Sequence, residues 1–269
     1  MTAWVFTDMD GTLLDETGRV RASNAEKIKA SGLPLTLVSA RSPKEMQEAI
    51  TALDLQGPQI AYNGGMIFEP HKTGRTVLSA LPMPTESAKQ IIGEIIARFP
   101  STSVSYYDGA DWYAERMDDN LRGEIAVSRL MPTFQPYQEV FERPRQIMKI
   151  MLIDFDAGVM AQIHDFFAAH EFPGVNARSS NAAWLEITSA EAEKSRGIQH
   201  VLDQEHIDAR DTAAFGDGQN DLPMLTMVGT PIVMANAAPA IKQVAKYITK
   251  SNLEDGVGYG MLHYLKPSK

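Results

Sequence analysis

Two carboxylates two residues apart, Asp8 and Asp10, follow a short apolar run from Trp4 to Phe6 and are followed at once by Gly11 and Thr12. Side chains two apart on an extended segment share a face, so both acids can enter one crevice. A strand that ends this way delivers them at the carboxyl edge of a sheet, where ligands bind in open α/β folds, and Gly11 lets the chain turn away. One acid could attack and the other could move protons, which is equipment for phosphoryl transfer. The competing reading is a solvated acidic turn. A calcium loop fails by position, since the loop glycine and the terminal glutamate counted from Asp8 fall on Leu13 and Arg19.

A second acidic stretch, Gly216-Asp217-Gly218-Gln219-Asn220-Asp221, again follows a short apolar strand and precedes a helix. Glycines on both sides of Asp217 permit a tight backbone, and Asn220 and Asp221 stand where side chains cap a helix or turn inward. Four acids in one crevice would repel one another unless a hard divalent cation lay between them, and Mg2+ favours carboxylate, carbonyl and water oxygens. Mg2+ is therefore the expected cofactor. The six histidines, His71, His164, His170, His200, His206 and His263, show no paired ligand spacing, so zinc is not expected.

Ser39-Ala40-Arg41 lies between a strand and a helix, where a hydroxyl and backbone N–H groups could hold a phosphate, although a serine there could equally cap the helix opened by Pro43. Lys194, in Glu193-Lys194-Ser195, could bring an ammonium to a phosphate or to the attacking carboxylate, or could simply be solvated at a helix start.

These residues need elements to hold them. The first part of the chain reads as β-α-β-α-β: strands Trp4 to Phe6, Leu35 to Val38 and Gln59 to Tyr62, with helices near 25–30 and from Pro43 to Leu53. That rhythm argues for a parallel sheet. It resumes near Lys194, with strands 212–215 and 231–234 and helices 222–227 and 239–245. Between them, after Pro82 and Pro84, a helix over 86–99, a hairpin over 103–114 and further helices and strands up to Ile187 suggest an antiparallel sheet with helices on one face. The expected organisation is a core of residues 1–82 and 188–269 interrupted by an inserted domain of residues 83–187. Tyr107, Trp112, Arg116, Arg178 and Trp184 of that insertion are candidates for reading the rest of a substrate, the competing reading for each being a core or solvated side chain.

Composition narrows the partners. The chain has 269 residues, no cysteine, 25 basic and 34 acidic side chains and a formal charge of -9, so disulfides, thiolate catalysis and general affinity for nucleic acid or anionic membrane are not expected. No apolar run approaches a membrane span and no basic-then-apolar leader opens the chain. A cytoplasmic protein acting on a small-molecule phosphate ester is expected.

In order and rough spacing, Asp8-Met9-Asp10-Gly11-Thr12, Ser39, Lys194 and Gly216 to Asp221 resemble the four motifs of the haloacid dehalogenase superfamily of phosphatases. The large insertion after the third strand and the tail Asn252-Leu253-Glu254-Asp255-Gly256-Val257 resemble the Cof-type subfamily with an α/β cap, class IIB. The resemblance implies a Rossmann-like parallel-sheet core with an inserted α+β cap domain that closes over it. It implies that Asp8 attacks phosphorus to give an aspartyl-phosphate, and that Asp10 protonates the leaving alcohol and then activates water. Mg2+ would be held by Asp8, the Asp10 carbonyl, Asp217 and Asp221, and the phosphate by Met9 to Gly11, Ser39, Ala40, Lys194 and Asn220. One departure is Ser39-Ala40-Arg41 where Cof-type members usually read Thr-Gly-Arg; the hydroxyl is kept and a methyl is added. The implied activity is hydrolysis of small phosphorylated metabolites, sugar phosphates foremost. Phosphomutases of the phosphomannomutase type, mannosyl-phosphoglycerate phosphatases and a non-catalytic phosphate-binding regulator are the alternatives.

Overall fold

The computed structural model describes residues 2–266. In chain order it contains β1 (Trp4–Thr7), α1 (Ala22–Ala30), β2 (Leu35–Leu37), α2 (Pro43–Leu53), β3 (Gln59–Ala61), β4 (Met66–His71) and β5 (Gly74–Ala80). Then come α3 (Thr85–Arg98), β6 (Ser103–Tyr107), β7 (Trp112–Ala114), α4 (Asp119–Ser128), β8 (Thr133–Phe134), α5 (Tyr137–Val140), β9 (Lys149–Ile153), α6 (Ala157–Ala169), β10 (Val175–Asn181) and β11 (Trp184–Ser189). The chain ends with α7 (Lys194–Glu205), β12 (Thr212–Gly216), α8 (Leu222–Met227), β13 (Thr230–Val233), α9 (Pro239–Lys242), β14 (Tyr247–Ile248) and α10 (Gly256–Tyr264). Two compact units result, one from the residues up to Ala80 and from Glu193 onward, the other from Leu81–Ala192. These limits lie two and five residues from the boundaries read in the sequence. Among the described residues no helix is long and apolar enough to cross a membrane.

The first unit is built on a parallel sheet in the order β14-β13-β12-β1-β2. Val5 and Phe6 of β1, Leu37 of β2 and Ala213 to Phe215 of β12 are wholly buried, as expected for strands covered on both faces. The helix α2 shows why its sequence is helical. Ser42 accepts the Glu45 N–H while the Glu45 carboxylate takes the Ser42 N–H, Pro43 opens the first turn, and Met46, Ala49, Ile50 and Leu53 form the buried stripe. Asp54, in the left-handed region at φ 56°, ends it.

The third strand differs from expectation. Instead of extending the parallel sheet, β3 pairs antiparallel with β4 in a separate three-stranded sheet, β3-β4-β5, and touches β2 through a parallel bridge between Val38 and Ile60. Beside β2, side chains replace the backbone ladder, the Leu37 N–H donating to Gln59 Oε1 at 2.9 Å and Thr36 Oγ1 to the Pro58 carbonyl at 2.8 Å, and the turn after β3, with Tyr62, Asn63 and Gly64 all at positive φ, folds the chain straight back.

The second unit carries a six-stranded sheet, β10-β11-β9-β6-β7-β8, antiparallel except for β7 and β8. Alternation sorts its two faces. Val104, Tyr106, Tyr113, Ile150, Leu152, Leu185 and Ile187 point to the side where Ile91, Ile92 and Ile95 of α3 and Met160, Ile163 and Phe166 of α6 pack. Each such fully buried isoleucine contributes roughly 2 kcal/mol of burial. The other face carries Ser105 and Tyr107, Tyr107 standing in register with both Trp112 and Lys149, with the Tyr107 and Trp112 rings stacked at 5.6 Å and the Lys149 ammonium 4.6 Å from the Tyr107 ring centre. Of the other residues singled out there, Trp184 donates to Glu124 at 2.8 Å and Arg116 donates to the Pro100 carbonyl.

Candidate active site

Three neighbouring parallel strands deliver the candidate residues to one edge. In register, Thr7 of β1 lies between Phe215 of β12 and Leu37 of β2, so the residues that follow, Asp8, Asp217 and Ser39, leave the sheet together. The Asp8 N–H donates to the Phe215 carbonyl at 3.0 Å and extends the ladder one residue past the strand. The chain leaves β1 toward β2 on one side and returns later as β12 on the other. This is the strand-order reversal at which open α/β sheets form a crevice.

Gly11 makes the crevice possible. Its φ is 77°, and a Cβ there would stand 2.4 Å from Asp217 Oδ2, so any side chain would both strain the turn and strike the second acid. The turn is held by the Met9 carbonyl, which accepts from the N–H groups of Leu13 and Leu14, each at 2.9 Å. On its far side Asn236 Nδ2 donates to the Gly11 carbonyl at 2.8 Å, and Thr12 Oγ1 donates to Asp217 Oδ1 at 2.7 Å.

Lys194 enters from the start of α7. A cation at a helix N-terminus opposes the helix dipole, so its placement is not explained by the helix itself. It is explained by two carboxylates: Lys194 Nζ donates to Asp8 Oδ1 at 2.5 Å and to Asp221 Oδ1 at 2.6 Å, with its side chain only 1% exposed. Close packing brings it there. A Cβ on Gly64, φ 94°, would lie 2.0 Å from the Glu193 carbonyl oxygen, so the turn after β3 accepts the start of α7 only as glycine. The second carboxylate oxygen of Asp221 accepts the N–H groups of Asp217 and Gly218, both at 2.9 Å, which locks the loop after β12.

The charge balance of this cluster is uneven. Burial, then the Asp221 carboxylate, push the Asp8 carboxyl well above its ordinary range, against the pull of Lys194. Burial raises Asp217 too, although the Thr12 hydrogen bond opposes it. Burial works against the Lys194 charge, but Asp8 and Asp221 outweigh it and hold the ammonium firmly protonated. Asp8, Asp217 and Asp221 each offer an oxygen within 4.8 Å of the others. Three ionised carboxylates against one ammonium would leave a net charge of minus two in a buried space, which a divalent cation offsets. The oxygen-only donor set suits a hard ion.

Asp10 points elsewhere. Its side chain is 59% exposed and is gripped by Arg41, whose Nε donates to Oδ2 at 2.8 Å and whose Nη2 donates to Oδ1 at 2.6 Å. Ser39 is buried, with its hydroxyl accepting the Arg41 N–H at 3.2 Å. Ala40 is half-buried between them, and Asn220 is exposed, its amide oxygen folded over Gly218. Arg41, Thr12 and Asn236 were not among the expected site residues. The first two sit inside the quoted motifs and were legible as polar neighbours of the acids, whereas Asn236 has no local signal.

The haloacid dehalogenase-like hydrolase family matches residues 5–261. A Bacillus subtilis protein, 5-amino-6-(5-phospho-D-ribitylamino)uracil phosphatase YwtE, is 29% identical, with 94% of each chain covered. The crystal structure of TM0651 from Thermotoga maritima superposes with a TM-score of 0.87 at 22% identity, covering 99% of this chain and 98% of that one. A structure described as the HAD subclass IIB sugar phosphatase BT4131 superposes with a TM-score of 0.81 at 20% identity, covering 98% and 99%. The parallel sheet with acids at its carboxyl edge, the inserted sheet domain and the match along nearly the whole sequence agree: this chain belongs to the haloacid dehalogenase-like hydrolases.

Proposed function

We propose that this protein is a Mg2+-dependent phosphatase of small phosphorylated metabolites, sugar phosphates foremost. The observation that carries the reading is Lys194 bridging Asp8 and Asp221, with Asp217 beside them and Asp10 two residues from Asp8. The choice of substrate class is supported by the relatives, one acting on a phosphorylated ribityl compound and one described as a sugar phosphatase.

In this reading an Asp8 carboxylate oxygen attacks phosphorus, the P–O ester bond breaks, and an aspartyl-phosphate forms. Asp10 gives a proton to the departing alcohol oxygen, then takes one from the water that hydrolyses the aspartyl-phosphate. Lys194 offsets charge on Asp8 and on the phosphoryl oxygens. Two unit charges at 4 Å interact by about 4 kcal/mol at an effective dielectric of about 20, so an uncompensated carboxylate would be turned away from a phosphate. Ser39, Asn220 and the backbone from Met9 to Gly11 would hold phosphate oxygens. Asp8, Asp217 and the Asp10 carbonyl would hold Mg2+, with Asp221 bracing them through the backbone N–H groups it accepts. The bound ion would supply Lewis-acid charge stabilisation to the transferring phosphoryl group.

The test is phosphate release from a panel of sugar phosphates and p-nitrophenyl phosphate, with Mg2+ and with EDTA, for the wild type and Asp8→Asn. Release that needs Mg2+ and is lost in Asp8→Asn is expected. An isomeric sugar phosphate in place of inorganic phosphate would make the protein a mutase, and binding without turnover would make it a regulator.

A further inference from the structure

We propose that Arg41 is the positioning residue for Asp10, holding the proton-transfer carboxylate in the plane from which it serves the leaving group. The assignment rests on the roles given to Asp8 and Asp10 above. Its basis is the fork between the two side chains, Nε to Oδ2 at 2.8 Å and Nη2 to Oδ1 at 2.6 Å. Two parallel hydrogen bonds fix orientation as well as distance, which a lysine ammonium cannot do.

The partners are unequal, and that decides which positions which. The Arg41 side chain is 13% exposed and the Asp10 side chain 59%. Arg41 is anchored through its backbone, donating its N–H to the Ser39 hydroxyl at 3.2 Å and accepting the Tyr62 N–H at 3.1 Å. Burial opposes the guanidinium charge, and the hydrogen-bonded Asp10 carboxylate more than restores it. An aspartate as exposed as Asp10 has several rotamers open to it, and the fork selects one.

The chemistry then has a defined order. With both Asp10 oxygens accepting from Arg41, the carboxylate faces a guanidinium. Proton delivery requires one oxygen to leave the fork while the other stays on it. As the ester bond breaks, its electron pair goes to the alcohol oxygen and the Asp10 proton follows; in the second step Asp10 recovers a proton from the attacking water. Arg41 stays cationic throughout and exchanges no proton. In the first step its contribution is confined to leaving groups that need a proton; in the second, where Asp10 takes a proton from water, it serves every substrate alike. An alkoxide departs poorly without a proton, whereas p-nitrophenolate departs as the anion.

The experiment measures kcat and KM with Mg2+ for an alkyl sugar phosphate and for p-nitrophenyl phosphate. It uses wild type, Arg41→Ala, Arg41→Lys, Asp10→Asn and the Arg41→Ala/Asp10→Asn double variant, each checked by thermal melting. General acid catalysis contributes about 100-fold or more, so Arg41→Ala is expected to lower kcat/KM, which reports formation of the aspartyl-phosphate, by about tenfold or more on the alkyl ester and several times less on the aryl ester. Arg41→Lys should fall between, and once Asp10 is gone removing Arg41 should cost less than about twofold. Equal losses of kcat/KM on both esters, a rise in KM at constant kcat, or an undiminished loss in the Asp10→Asn background would each overturn the assignment. If Arg41→Ala fails to fold, the same comparison is read on Arg41→Lys. A wild type silent on both esters would instead defeat the phosphatase reading and the assignment with it, a result distinct from an active enzyme with uniform losses.

Discussion

Two ion-pair clusters flank the loop after β1, and they are built oppositely. Lys194, Asp8 and Asp221 are nearly solvent-free, with side chains 1%, 8% and 1% exposed, and one ammonium stands between the two carboxylates. Asp10 meets Arg41 from the solvent side, where water can stand in for Arg41 at the exposed carboxylate. The contrast teaches that two aspartates separated by one residue can be given different tasks by burial alone. The buried one is fixed by an ammonium it shares with a second carboxylate; the exposed one is oriented and free to exchange partners.

Removing the lysine is the strongest challenge to that contrast. Lys194→Met leaves Asp8 and Asp221 facing one another without a cation, and breaking a buried pair in this way typically costs about 3 to 5 kcal/mol, to be read from urea unfolding. A loss below about 1 kcal/mol would mean that the acids do not depend on Lys194 and would break the comparison. Added Mg2+ should recover part of the loss.

At the exposed cluster, Arg41→Ala should change unfolding stability by less than about 1 kcal/mol, because solvent screens a pair whose carboxylate is more than half exposed. Its effect belongs to turnover. A loss comparable to that of Lys194→Met would erase the distinction between the two clusters.

A third cluster sharpens the scale. Asp255 accepts from Lys27 at 2.6 Å and from Ser23 at 3.0 Å, with Arg21 at 3.5 Å, and ties α1 to the turn before α10. Burial alone would raise its carboxyl, but these partners more than offset it and the net direction is down. A carboxyl lowered on folding stabilises the folded state above its unfolded value and loses that contribution as pH falls through the folded value. Asp255→Asn keeps a residue tolerant of the left-handed backbone at φ 59°, so the charge is tested by itself. It should cost about 1 kcal/mol near neutrality and nothing in strong acid, measured by thermal melts across pH. A penalty that persists in acid would assign the effect to shape.

Legibility varied along the chain with the range of the forces involved. The helix α2 was readable to the residue, because its cap, its proline and its apolar stripe all lie within a dozen positions. The hairpin of β4 and β5 was not read, since β5 is largely half-exposed and shows no clear alternation. The helix α10 was also missed. Its opening run Gly256-Val257-Gly258-Tyr259-Gly260 argues against a helix by propensity, yet each glycine is a point of contact. A Cβ on Gly258 would lie 2.6 Å from Lys27 Cβ, and one on Gly260 2.5 Å from a Phe215 ring atom. Packing against α1 and β12 overrides the local preference.

By itself the sequence determined that Asp8 and Asp10 follow a buried strand, that Asp217 follows another, and that tight turns carry them, because strand periodicity and glycine geometry act within a few residues. Tertiary structure decided everything that spans the chain: Lys194 reaching Asp8 across 186 positions, Asn236 holding the Gly11 carbonyl across 225, and Asp10 turning to Arg41 and away from Asp8. Charges select their partners by proximity in space and by the water left between them, and neither quantity exists until the strands are placed side by side.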